Sequence, residues 1–188
     1  MGTPCSSWVC LSRSWTRRSI LAPEGPTADR TTPEQRRYLD KHNGIAKLSA
    51  WLLRVSWALG IYAVVEQPQS SLLFRFGPME SSLAFVRART AAFQMSVFGG
   101  ESPKPLVLKG TGDFLDVFRE AYLLRKSSRT SSTSQRLTVV DKRGHFTGVA
   151  GSLTASSSYT RSFGMAMALA LSGCTARQIV DRLASMSL

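Results

Sequence analysis

The chain reads as an α/β domain of the doubly wound kind, and three observations predict it. A helical stretch stopping at Gly60 feeds straight into the apolar run "IYAVVE", the acid Glu66 closes that run, and helix–strand alternation resumes beyond it. A nearly continuous apolar run rich in β-branched residues is the composition of a buried parallel strand. With 188 residues, 43% of them apolar, the chain is long enough for one ordinary domain with a core.

Taken in order, residues 1–32 are polar and turn-rich, and "APEGPTADRTTPEQ" reads as a loop. Thr32 is the expected N-cap of the first helix, with Pro33 at its first position and Glu34 and Gln35 in its first turn. Leu39, His42, Ile45, Leu48, Leu52, Val55 and Leu59 recur in steps of three and four, which predicts a helix to about Leu59 with these residues on one apolar face. Gly60 ends it. The strand "IYAVVE" follows, and "SSLLFRFGPMESSLAFVRA" is a short helical or irregular crossover. "AAFQMSVF" alternates Phe93, Met95 and Val97 and predicts a strand; "PLVLKG" predicts another. The connection "GGESPK" is too short for a parallel return, so these two are expected as antiparallel neighbours.

"GDFLDVFREAYLLRK" predicts a helix with Asp113 near its start and basic residues at its end, complementing the dipole. The domain organisation expected is therefore 1–32 as loop, 33–125 as α/β core, 126–136 as a basic Ser-rich linker, and 137–188 as a hairpin plus helices. The hairpin turns at Lys142–Gly144. "FGMAMALALS" is a compact helix, and "TARQIVDRLASM" is another, capped by Thr175 and placing Ile179, Val180, Leu183 and Met186 on one face.

The formal charge is +12, carried mostly by arginine. Arginine's planar fork suits phosphate and carboxylate, so an anionic partner such as nucleic acid is one reading and a soluble basic surface is the other. Three cysteines and two histidines without paired spacing exclude a disulfide framework and a zinc site, so no metal is expected and the thiols are read as reduced and intracellular. Ile45–Val65 carries Lys47 and Arg54 and ends at Glu66, which favours a buried helix running into a strand over a membrane span. Cys10 and Cys174 read as small buried hydrophobes, His42 as a core residue and His145 as a turn residue. Ser70, Ser71 and Arg75 offer an anion site or, more simply, a serine-capped turn.

Two short runs carry chemistry. "GTPCSSW" sets Cys5 in a Pro-Cys turn, and "VVEQP" sets Glu66 at the carboxyl end of the most buried strand, where open α/β sheets hold their ligands. Together with "SVFGGESPKPLVLKG" they resemble motifs of the cytosine-C5 DNA methyltransferases, whose nucleophilic cysteine follows a proline and whose acid ends a strand. The similarity is greatest to a group of methyltransferase-like protist proteins with Pro-Cys-Ser-Ser, Glu-Gln-Pro-x-Ser-Ser-Leu-Leu, Phe-Gly…Lys-Pro and Phe-Gly-helix segments; the counterparts are Pro4–Ser7, Glu66–Leu73, Phe98–Pro105 and Ser162–Ala168.

The resemblance implies a partial Rossmann-like sheet of the S-adenosyl-L-methionine-dependent type. It implies Cys5 and Glu66 as catalytic residues and Pro4, Ser6, Gln67 and Lys104 as substrate-binding ones. In that chemistry a thiolate adds to C6 of cytosine, and the enamine-like C5 then attacks the methyl donor. The carboxyl group holds N3, and the base is flipped out to reach both groups. The sequence departs from the family at Ser6, Gln67 and Pro103–Pro105, where the family has Gln, Asn and arginines. No glycine-rich strand–turn–helix for the cofactor occurs in these residues.

The expectation is therefore a truncated methyltransferase-like domain, inactive alone. Its cofactor half and the strand delivering Cys5 would lie upstream, its location would be intracellular and by family likeness nuclear, its sheet edge would be open, and the isolated chain would be poorly stable with residues 1–32 loose. The alternatives are a non-catalytic basic nucleic-acid-binding module or a degenerate mobile-element product. The pivotal expectation is that Cys5 and Glu66 sit side by side at one rim of the sheet.

Overall fold

The structure is a computed structural model and describes residues 7–10, 33–100, 105–128, 138–140, 146–148 and 159–185. Its strands are β1 (Ser7–Cys10), β2 (Ala63–Pro68), β3 (Arg89–Gln94), β4 (Pro105–Gly110), β5 (Thr138–Val140) and β6 (Phe146–Gly148). Its helices are α1 (Pro33–Ala58), α2 (Gly77–Phe85), α3 (Phe114–Ser128), α4 (Arg161–Leu171) and α5 (Ala176–Ser185). The chain divides into two compact units, Met1–Ala91 with Val107–Leu115 and Ala92–Leu106 with Asp116–Leu188.

The class is mixed α/β, as the helix–strand alternation predicts, but the sheet is not the parallel one expected. Strand order is β1-β2-β4-β3. Only β1 runs parallel to β2; β2, β4 and β3 form an antiparallel sheet. The reason is local. The N–H of Thr111, just past β4, donates to the carbonyl of Ala63 at the start of β2 (2.9 Å), and the N–H of Ala63 donates to Thr111 Oγ1 (2.9 Å). The amino end of one strand thus meets the carboxyl end of the other. The neighbouring antiparallel pair β3–β4 is the one its short connection predicts. β1 lies inside the stretch read as loop, and it follows Cys5 in the chain instead of delivering it.

In the first unit the core is Ala46, Ala50 and Leu53 of α1, Val65 of β2, and Leu73, Phe76, Met79, Leu83 and Val86. This corrects the predicted face of α1. The buried line is Ala46, Ser49, Ala50 and Leu53, whereas Leu48, Leu52 and Leu59 of the leucine stripe are exposed, together with Trp51. Small residues let α1 approach α2 closely, and close packing outweighs the larger apolar area of the stripe. The boundaries of α1 agree with expectation: it starts at Pro33 and ends before Gly60, whose φ is +69°.

The crossover between β2 and β3 is a 3-10 turn, Leu72–Arg75, followed by α2. "AAFQMSVF" is strand only to Gln94; Met95–Phe98 is a second 3-10 turn, so Met95, Val97 and Phe98 are all buried where strict alternation would expose one side.

The second unit has an aromatic centre. Phe93 stacks on Phe163 (ring centroids 5.2 Å apart) and meets Phe118 edge-on (5.4 Å), while Phe98 stacks on Phe118 (5.3 Å). Thr160 caps α4, accepting from the N–H of Phe163 (3.1 Å) and donating to the carbonyl of Phe98 (2.8 Å). α5 begins with the expected Thr175 cap in reciprocal form: Gln178 N–H donates to Thr175 Oγ1 (3.3 Å), and Thr175 N–H donates to Gln178 Oε1 (2.8 Å). Ile179 and Leu183 are buried and Val180 is half-buried, as predicted; Met186 lies outside the described residues. β5 and β6 pair antiparallel as the expected hairpin, with its turn and most of the 126–136 linker outside the described residues.

Candidate functional site

Glu66 sits one residue short of the penultimate position of β2 and is 7% exposed; Gln67 beside it is 1% exposed. The segment after the strand is tied back on itself. Ser71 N–H donates to the carbonyl of Pro68 (2.8 Å), Ser71 Oγ donates to Gln67 Oε1 (2.9 Å), and Leu73 N–H donates to Ser71 Oγ (3.3 Å). Ser71 is therefore the cap of the 3-10 turn, the simpler of the two readings of the serine run. The result is a locked Gln67 amide next to a buried Glu66 at the carboxyl end of β2.

The register of β1 against β2 sets Ser7 opposite Ala63 and Cys10 opposite Glu66. The cysteine whose backbone comes level with the acid is thus Cys10, which sequence reasoning left without a chemical role. Cys5, Pro4, Ser6 and Lys104 lie outside the described residues, as does His145. His42 is half-buried, and Cys174 is half-buried with Sγ 3.7 Å from Ser172 Oγ, less enclosed than expected. No group of three or more His, Cys, Asp or Glu side chains among the described residues is arranged to hold a metal. No helix among them is long and apolar enough to cross a membrane.

At the other end of β2 lies a feature that sequence reasoning missed. An open cleft of about 630 Å³ is lined by Trp57, Tyr62 and Phe85, by Arg87 and Arg89, and by the turn Thr111–Asp113 after β4. Trp57 and Phe85 meet edge to face (5.3 Å) although 48% and 53% of each is exposed. Arg54 lies over the Phe85 ring (4.9 Å), held by hydrogen bonds to Ser82 Oγ (2.9 Å) and Ser81 Oγ (2.8 Å). Arg89 pairs with Asp113 (2.9 Å).

Arg87 has no carboxylate partner among the described residues, and its backbone is in the left-handed region, φ +50°. That conformation costs a residue with a Cβ roughly 1–2 kcal/mol. Its cause is the end of α2. Ala88 N–H donates to the carbonyl of Leu83 (2.9 Å) and Arg87 N–H to that of Ala84 (3.0 Å), a Schellman closure with Arg87 at the left-handed position. α1 and α4 close with the same bond pattern, through Ile61 to Ser56 (2.8 Å) and Cys174 to Leu169 (3.0 Å). There the left-handed residues are Gly60 and Gly173, with φ +69° and +85°. Of these three helix ends only that of α2 carries arginine, and it shares the cleft with Gly60 of the α1 end. The signal in the sequence was the Phe-Val-Arg-Ala run ending α2, legible only once the helix end was known.

No family model, no curated protein and no solved structure matches this chain.

Proposed function

We propose that this chain is a methyltransferase-like domain related to the enzymes that methylate C5 of cytosine in DNA, inactive alone, in which Glu66 is the group that recognises the base. The observation that carries the reading is the carboxyl group of Glu66, held almost buried at the carboxyl end of β2 beside a parallel neighbour and backed by the Gln67–Ser71 lock. A carboxyl group shielded from water interacts strongly with a ring nitrogen, which is the role the family resemblance gives it. The antiparallel β3–β4 edge and the exposed apolar stripe of α1 also support a domain whose remaining half is supplied from outside these residues. S-adenosyl-L-methionine is the donor that the resemblance implies; the chain's own residues offer no glycine-rich cradle for it.

One observation favours a non-catalytic form of the same scaffold. The strand beside Glu66 carries Cys10 at its level, and none of its residues, Ser7–Cys10, is one that the resemblance makes catalytic.

The test is retention of labelled single strands that carry one cytosine or one thymine at a central position. Wild-type chain is expected to retain the cytosine strand several-fold better, Glu66→Gln to lose the preference, and neither to transfer methyl groups from labelled cofactor. Equal retention of both strands by the wild type overturns the base-recognition role. Methyl transfer by the wild type alone overturns the inactivity.

A further inference from the structure

We propose that the cleft at the amino end of β2 is a binding site for single-stranded nucleic acid, with a base against the exposed Trp57–Phe85 pair and a backbone phosphate on Arg87. This does not depend on the role of Glu66, which lies at the other end of the same strand. Single strands are held by aromatic faces that stack on bases and by cations that track the backbone. The cleft supplies both. Trp57 and Phe85 are about half exposed, which leaves ring surface open to a ligand. Arg54 is fixed on one face of Phe85, so the aromatic surface is already polarised by a cation.

Arg87 is the decisive residue. It stands at a position where the other helix ends of the same pattern use glycine, so the closure of α2 is made at a backbone cost that glycine would not carry. Its charge is not spent on a carboxylate among the described residues, whereas the adjacent Arg89 is paired to Asp113. A strained residue with an available guanidinium at the mouth of an aromatic cleft fits an anionic, ring-bearing ligand. The formal charge of +12 draws such a polyanion toward the chain. The shallow opening and paired exposed rings favour unstacked bases over a duplex, whose bases present no free faces.

The experiment measures fluorescence anisotropy of labelled 12-nucleotide DNA and RNA strands and of the DNA duplex across a salt series, with the full chain and its variants. Single strands are expected to bind more tightly than the duplex, and the DNA and RNA arms report which sugar is preferred. Arg87→Gly is expected to weaken single-strand binding roughly five-fold or more and to reduce the salt slope by about 0.7, the loss of one phosphate contact. The same variant is expected to melt about 2–4 °C higher, because glycine relieves the left-handed strain, so the loss cannot be ascribed to unfolding. Arg36→Gln, which removes an equal charge from the exposed start of α1, is the control and is expected to change affinity less than about two-fold. Trp57→Phe is expected to abolish most of the tryptophan quenching seen on binding. Equal effects of Arg87→Gly and Arg36→Gln, duplex binding as tight as single-strand binding, or a dimer that Arg87→Gly dissolves would each overturn the proposal, the last by assigning the cleft to a second copy. Loss of cytosine preference in Glu66→Gln with single-strand affinity intact separates this site from that one.

Discussion

Ser71 shows how one hydroxyl organises the end of a strand. It donates to Gln67 Oε1 and accepts from Leu73 N–H, both in a buried setting. Removing it takes one hydrogen bond from a buried amide oxygen and one from a turn N–H together. Ser71→Ala is therefore expected to cost about 1–3 kcal/mol in urea unfolding. Ser70→Ala, at the exposed neighbour, is expected to change stability by less than about 0.5 kcal/mol. Similar losses for the two would show that the Gln67 lock contributes nothing. Arg87 is the opposite kind of residue. Its local cost is legible in the backbone, and only its surroundings suggest a use. The serine cap was readable from "SSLLFRF", since serine before a turn has a known job. The strain at Arg87 was not, because nothing in "AFVRA" says where α2 stops.

α1 is where periodicity and packing part company. Its leucines recur at helical spacing, and that spacing correctly predicted a helix from Pro33 to just before Gly60. The same leucines misplaced the buried face, which belongs to Ala46, Ser49, Ala50 and Leu53. Leu53→Ala is expected to cost about 2–5 kcal/mol. Leu48→Gln and Leu59→Gln, whose side chains are 54% and 67% exposed, are expected to cost less than about 0.5 kcal/mol each. Denaturant midpoints of the three variants decide it, and a large loss for Leu48 or Leu59 would restore the leucine face as core. The strands repeat the lesson. "AAFQMSVF" has the alternation of a strand throughout, but its second half turns into a 3-10 segment that buries Met95, Val97 and Phe98 together. Burial of all three served the aromatic centre better than a longer ladder, and a ladder's worth depends on neighbours that sequence does not name.

At the scale of the molecule, the sheet is open, with β1 and β3 as its edge strands, and the helix beside β2 shows solvent a line of large apolar side chains. Both features lower the free energy of opening. Amide exchange through residues 61–110 is accordingly expected to proceed by low-energy local openings, faster in β2 than in the α4–α5 pair of the second unit. Uniformly slow exchange across 61–110 would contradict it. The charge acts at this scale too, since scattered arginines attract a polyanion without choosing where it docks. Site and base preference have to come from particular residues, Arg87 and Trp57 in one proposal and Glu66 in the other.

What the sequence determined by itself was the order and kind of most elements: the long first helix, the buried strand ending in Glu66, the antiparallel neighbours β3 and β4, and the two helices at the end, the second with its Thr175 cap. Those follow from spacing, caps and loop length, which are local. Tertiary structure alone decided that β2 pairs antiparallel with β4, that Cys10 is the cysteine level with Glu66, and that α1 hides its alanines and shows its leucines. It also decided that Trp57, Phe85 and Arg87, apart in the chain, line one cleft. Each of these depends on which surfaces come close enough to exclude water and share hydrogen bonds, and that is settled between elements, not within them.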